Sequence, residues 1–165
     1  MGEKSALRYF WLLILVITVQ SCYSPRQKTS EEYYRVVKVV DGDTFWIDDG
    51  SERGQKVRLI GVDAPETRRS ARKEIGHYGE EAKVYATELL LDKDVRLEYD
   101  VSHKDRYGRT LAYVYLRDGT FVNALLIKEG YATVLTVPPN VAHADDFVKY
   151  QRRAREKGKG LWAGQ

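Results

Sequence analysis

This chain has a single cysteine in 165 residues, so no internal disulfide can staple it and its stability must come from packing. Histidine is scarce as well: His77, His103 and His143 stand far apart, without HExxH or paired-histidine spacing, which argues against a zinc site or a histidine-driven mechanism. A P-loop and a GxSxG elbow are both missing, so P-loop phosphate chemistry and serine-nucleophile chemistry lack their signatures. No apolar run approaches the roughly 20 residues of a membrane-spanning helix. Excess charge is missing too, and a formal net charge of +3 is too mild to mark a nucleic-acid binder by itself. There is no internal repeat and no sign of a second folded domain.

What is present begins with an export signal. Lys4 and Arg8 make a weak positive n-region, interrupted by Glu3, and Tyr9 to Val19 is an apolar stretch suited to a signal h-region. Val19-Gln20-Ser21-Cys22 then resembles a bacterial lipobox, with Gln20 an imperfect match; cleavage before Cys22 would free a thiol for a diacylglycerol anchor. Two alternatives stay open, an ordinary signal peptide cut nearby and a retained N-terminal anchor. The expected division is a lipoprotein-type signal peptide over 1–21, a polar tether with Pro25 over 22–32, and a folded domain over 33–165. Loss of 1–21 would lower the formal charge from +3 to +2, and the remainder is long enough for one self-sufficient core. The expected location is the cell envelope, lipid-anchored through Cys22, or otherwise the periplasm or the medium.

From Tyr33 the pattern turns to β. Tyr34 to Val40, Thr44 to Ile47 and Lys56 to Ile60 are rich in β-branched and aromatic residues and are separated by turns at Asp41-Gly42 and Asp48-Asp49-Gly50, which predicts a three-stranded meander. Ala82, Tyr85, Ala86 and Leu89 recur at helical spacing, predicting a helix over about 78–91. Two strands follow, Val95 to Tyr99 and Leu111 to Leu116, then a short helix around Val122, Leu125 and Leu126 stopped by Gly130. Phe147, Tyr150 and Ala154 mark a third helix ended by Gly158, and Leu161-Trp162 reads as a plug for the core. Three strands, a helix and two strands give a mainly β fold with about three helices (α+β), the five-stranded Greek-key barrel of the OB-fold. That barrel also carries modules without activity, so fold class alone does not disclose the chemistry.

The chemistry lies in four clusters: Asp41-Gly42-Asp43-Thr44, Arg58, Asp63-Ala64-Pro65-Glu66, and Asp105-Arg106-Tyr107-Gly108-Arg109. Asp-Gly alone marks an ordinary hairpin turn. A second acidic group after the third strand changes that reading, because a sheet partner of the first hairpin returns Asp63 and Glu66 to the same mouth of the barrel. Carboxylate oxygens hold a hard cation, and guanidinium forks bind phosphate oxygens bidentately. Basic residues also gather at Arg68, Arg69, Arg72 and Lys73, and at Arg152, Arg153, Arg155, Lys157 and Lys159. Such blocks are more often solvated faces than binding patches unless a site adjoins them, and the first adjoins Glu66.

In this order and spacing the clusters closely resemble the staphylococcal nuclease (thermonuclease) family, from about Tyr33 to Trp162. The resemblance implies a Ca²⁺ ion held by Asp43, Asp63 and the Ala64 carbonyl, a site indifferent to the alanine side chain. It implies Arg58 and Arg109 as the catalytic phosphate-holding pair, Glu66 as the group that positions or deprotonates the attacking water, and Arg106 and Tyr107 as further substrate contacts. Asp105 is read as structural. The implied activity is calcium-dependent hydrolysis of DNA and RNA with little sequence preference, by a monomer, leaving 3′-phosphorylated products. The rival is a non-catalytic OB-fold module binding single strands, whose degenerate forms lose carboxylates or arginines that this chain retains. One departure stands out: Leu135 and Val137 occupy positions where the family typically carries tyrosines against the bound nucleotide.

Overall fold

The computed structural model describes residues 32–67 and 78–164. The signal and tether, Cys22, His77 and the basic cluster Arg68, Arg69, Arg72 and Lys73 lie outside the described residues. Strands β1 (Tyr34–Asp41), β2 (Thr44–Asp48), β3 (Gln55–Leu59), β5 (Asp94–Glu98) and β6 (Thr110–Leu116) close a barrel in the order β1-β2-β3-β6-β5. β3 and β6 run parallel and every other barrel pair is antiparallel. Inward positions are apolar, as the strand period requires: Val36, Phe45, Ile47, Val57, Leu59, Val95, Ala112 and Val114 are fully or almost fully buried. Register shifts between Val36 and Lys38 and between Val39 and Asp41 place β-bulges in β1, which coil that strand around the barrel.

Three helices cover the barrel. α1 (Gly79–Leu90) buries Ala82, Ala86 and Leu90 at four-residue intervals and carries Glu80 and Glu81 in its first turn, where they favour the helix dipole. α2 (Val122–Lys128) buries Asn123 completely, and this residue ties neighbouring segments together. Its Oδ1 accepts the Val114 amide at 2.9 Å and its Nδ2 donates to the Ile60 carbonyl at 2.9 Å, satisfying polar groups that burial would otherwise leave costly. α3 (Ala144–Glu156) inserts Phe147 into the core.

Two short strands escaped the sequence pattern. β4 (Gly61–Asp63) pairs antiparallel with β7 (Thr133–Leu135) in a separate two-stranded sheet, with Asp63 opposite Thr133. At the break between β3 and β4, Gly61 has φ +76°, and a Cβ there would lie 2.5 Å from the Phe147 ring. Leu161-Trp162 does not plug the barrel. These residues form a half-buried 3₁₀ turn (Gly160–Trp162), with the Arg155 guanidinium 4.2 Å from the Trp162 ring centroid. The amide of Leu161 donates to the Gly130 carbonyl instead, fastening the C-terminus to the end of α2. Much of the C-terminal basic cluster is also engaged structurally: Lys159 pairs with Glu129 at 2.7 Å and Arg155 stacks on Trp162.

Candidate active site

Asp43 sits in the tight turn between β1 and β2, and the turn is held by close packing. A Cβ on Gly42 would lie 2.6 Å from the Ala64 Cβ and 3.2 Å from that of Ala82, so only glycine lets the hairpin tip settle between the β4 exit and α1. Asp43 is therefore almost completely buried. Its Oδ2 accepts the Ala64 amide at 2.7 Å, and its Oδ1 accepts the Thr44 hydroxyl at 2.9 Å. The packing that brings the hairpin to Ala64 thus brings the two acidic clusters together, as their spacing predicts.

Arg58 projects from β3 between the two. One guanidinium nitrogen contacts Asp43 Oδ2 and the other donates to Asp63 Oδ1 at 3.1 Å, so a single fork spans the carboxylates of both clusters. The usual fate of a barrel-strand arginine, outward and solvated, does not apply: only 12% of this side chain is exposed. Burial pushes the Asp43 carboxyl up to about 7; Arg58 opposes the shift and nearby Asp41 adds to it.

Arg109 reaches the same cavity from the start of β6. Asp105 fixes it: Oδ2 accepts Arg109 Nε at 2.7 Å, while Oδ1 accepts the Tyr107 and Arg109 amides at 2.8 and 3.1 Å. The pair uses only Nε of the guanidinium. Asp105 is structural, as the sequence suggests, with the specific task of aiming an arginine. Its carboxyl is held below the usual range because the Arg109 and amide hydrogen bonds outweigh the opposing effect of desolvation, which is the largest single influence.

A polar cavity of about 170 Å³ gathers Asp43, Arg58, Asp63, Ala64, Glu66 and Arg109, the residues that the resemblance assigns to metal and catalysis, while Arg106 and Tyr107 line the neighbouring groove. Asp41 and Thr44 line it too. Sequence reasoning assigns Asp41 only to a turn, although its place two residues before Asp43 is a signal for a part in the site. The cavity therefore holds four carboxylates, Asp41, Asp43, Asp63 and Glu66, against two guanidinium groups. That imbalance and the all-oxygen donor set suit a hard divalent cation. Among the described residues no three His, Cys, Asp or Glu side chains form a metal cage by themselves, so a cation here would also need backbone, water or substrate oxygens.

Beside this cavity runs an apolar groove of about 510 Å³, walled by Tyr107, Leu111, Leu135, Val137, Pro138 and Pro139, with Arg58, Arg106 and Arg109 at its edge. Arg106 donates to the Tyr107 hydroxyl at 2.7 Å, and its guanidinium lies 4.8 Å from the ring centroid. Asn140, which sequence reasoning missed, anchors the far wall: its side-chain amide exchanges two hydrogen bonds with the Ser102 backbone, at 2.7 and 2.8 Å. Leu135 and Val137 are exposed in the groove.

The chain matches the family described as "Staphylococcal nuclease homologue" over residues 56–164. It is 42% identical to a thermonuclease of Staphylococcus hyicus over 135 residues, covering 81% of this chain and 78% of that protein. It is 40% identical to a thermonuclease of Staphylococcus intermedius over 156 residues, covering 92% and 90%. An uncharacterized endonuclease of Haemophilus influenzae is 35% identical over 151 residues, covering 92% and 75%. A closed barrel with these acids and arginines at one mouth, joined to these similarities, has one consistent assignment: the chain belongs to the staphylococcal nuclease family.

Proposed function

We propose that this protein is a Ca²⁺-dependent phosphodiesterase that cuts DNA and RNA with little sequence preference, breaking the P–O5′ bond and leaving a 3′-phosphate and a 5′-hydroxyl. The observation that carries this reading is the single polar cavity in which Arg58 and Arg109 meet Asp43, Asp63 and Glu66. The names of the thermonuclease and endonuclease relatives support it.

Asp43, Asp63 and the Ala64 carbonyl would hold calcium, which when bound supplies positive charge to a phosphate oxygen. Glu66 orients the attacking water or takes its proton. As the phosphorus gains its fifth oxygen, negative charge grows on the equatorial oxygens, and the two guanidinium groups stabilise it. Arg58 is pre-placed by the two carboxylates and Arg109 by Asp105, so little reorganisation is needed at the moment of reaction. Because these groups address the backbone and not the bases, cutting is indifferent to sequence. Mg²⁺ should serve poorly, since it demands a tighter octahedral shell and releases water reluctantly. We also read the chain as exported, lipid-anchored through Cys22 and monomeric, on the lipobox-like Val19-Gln20-Ser21-Cys22 and the folded size.

The test is incubation with single-stranded DNA and with RNA in calcium, in magnesium alone and in chelator, with the product ends analysed. Cleavage in calcium only, with 3′-phosphate ends, is expected. Robust cutting in chelator contradicts the metal assignment, and tight binding without cutting favours the non-catalytic module.

A further inference from the structure

Tyr107 and Arg109 form a ridge with open ground on both sides. One side is the apolar groove of Leu135 and Val137. On the other, a hollow of about 400 Å³ lies over Trp46, Arg53, Lys56 and Lys104, and Tyr107 and Arg109 line it as well. A third hollow, of about 280 Å³, shares Trp46 and Lys56 with the second and ends at Asp41 and Glu66, at the edge of the catalytic cavity.

Strand register builds this surface. On β2, Phe45 and Ile47 are buried in the core, which leaves Trp46 on the outer face of the barrel. Trp46 is paired with Lys38 on β1 and with Lys56 on β3, so a Lys-Trp-Lys row crosses three neighbouring strands. Lys104 joins them from the loop before β6, lining the same hollow as Trp46 and Lys56. Lys56 Nζ lies 5.9 Å from the Trp46 ring centroid. Lys38, Arg53, Lys56 and Lys104 have no ion-pair partner among the described residues. The acid in the second hollow, Asp49, is engaged by the amide and hydroxyl of Ser51 at 3.1 and 2.6 Å.

A half-buried tryptophan outside the core, set among cations that no carboxylate of the described residues neutralises, has the two features that single strands require. Its flat apolar ring takes a base, and the lysines take backbone phosphates. Contact with the ridge of Tyr107 and Arg109 makes this surface continuous with the site of chemistry. A ligand of one nucleotide cannot occupy both sides of that ridge.

We propose that the Trp46 groove is a second substrate subsite, which takes the stretch of single-stranded polynucleotide lying across the scissile phosphate from the Leu135 groove. A base stacks on Trp46, and flanking phosphates lie on Lys56 and Lys104. The inference rests on the phosphodiesterase reading above. With ground open on both sides of the ridge, the strand passes through the site and is cut internally.

The experiment compares two substrates, a single-stranded 20-mer and a single-nucleoside phosphodiester with a chromogenic leaving group, in wild-type protein, Trp46→Ala and Trp46→Tyr. Trp46→Ala should lower the ratio of kcat/KM on the 20-mer to that on the small diester about tenfold, mainly through KM, and Trp46→Tyr should recover most of it. An unchanged ratio, or an equal fall on both substrates, overturns the subsite. The double variant Lys56→Gln/Lys104→Gln, at partly or fully exposed positions, guards against a folding defect. It should reduce the slope of log KM against log salt by about 1.4, at roughly 0.7 per phosphate contact, and an unaltered slope contradicts the proposal. Should wild-type protein cut neither substrate, the phosphodiesterase reading fails on its own. Anisotropy of a labelled 20-mer in chelator then decides the subsite: about tenfold weaker binding by Trp46→Ala supports it and equal binding overturns it. Equal affinity of the Trp46 surface for duplex and single strand also overturns it.

Discussion

The catalytic cavity and the groove beside it are built on opposite plans. In the cavity the Asp43 and Arg58 side chains are only 7% and 12% exposed, and every arginine nitrogen named above is held by a carboxylate. In the groove Leu135, Val137 and Tyr107 are 43%, 58% and 65% exposed. On the proposed reading, Asp43, Arg58 and Arg109, which act at the phosphodiester, are held by neighbouring groups, whereas the side chains that would meet the base are solvated. The difference teaches that catalysis and nucleotide affinity are separable in this protein, and substitutions on either side should show it.

The largest effect should come from Asp43→Asn. The amide retains a hydrogen-bond acceptor for the Ala64 N–H but removes the charge that a cation needs, so cleavage should fall by about 10³ or more while circular dichroism stays that of the barrel. Collapse of the fold would make Asp43 structural instead. Asp105→Asn should cost about tenfold in kcat by loosening Arg109, with KM for the 20-mer nearly unchanged. A loss confined to KM would move Asp105 to the binding side of the comparison. Leu135→Tyr with Val137→Tyr should work in the other direction, tightening a nucleoside bisphosphate inhibitor about tenfold with kcat little altered. If the double variant binds no better, Tyr107 already provides the platform.

The smallest effect is on stability. An unfolded aspartate ionises near pH 4, whereas the native Asp43 carboxyl keeps its proton up to about 7 because of burial. Native protein therefore binds more protons across that window, so stability in chelator should fall as pH rises from about 4 to 7 and then level off. Denaturant midpoints should show the slope in the wild type and lose it in Asp43→Asn. A midpoint that rises with pH in the wild type would contradict the assignment.

The barrel and the core of the site were legible in the sequence because their signals are local. Period-two strands around Asp-Gly turns gave the meander, and the helices were marked by Ala82 and Ala86 and by Phe147 and Ala154. β4 and β7 are three residues each, too short to show a period, so Asp63 reads as a loop residue although strand pairing with Thr133 fixes it. Asn123 and Asn140 were silent because their partners are distant in the chain, at Ile60 and Ser102. Trp162 misled because an aromatic near a C-terminus suggests core. Its position is set by the positive φ of Gly158 and Gly160 and by Arg155. Trp46 and its lysines acquire meaning only through the register of β1, β2 and β3.

The central claim is that Arg58 and Arg109 act on the transition state. Single-turnover cleavage of saturating single-stranded DNA by Arg58→Lys and by Arg109→Lys, in calcium, tests it most directly. Lysine retains the charge but cannot span two oxygens, so each rate constant should fall by about 10² or more while the dissociation constant for DNA changes by less than about threefold. Wild-type rates with weakened binding would make the two arginines ground-state binders and contradict the account.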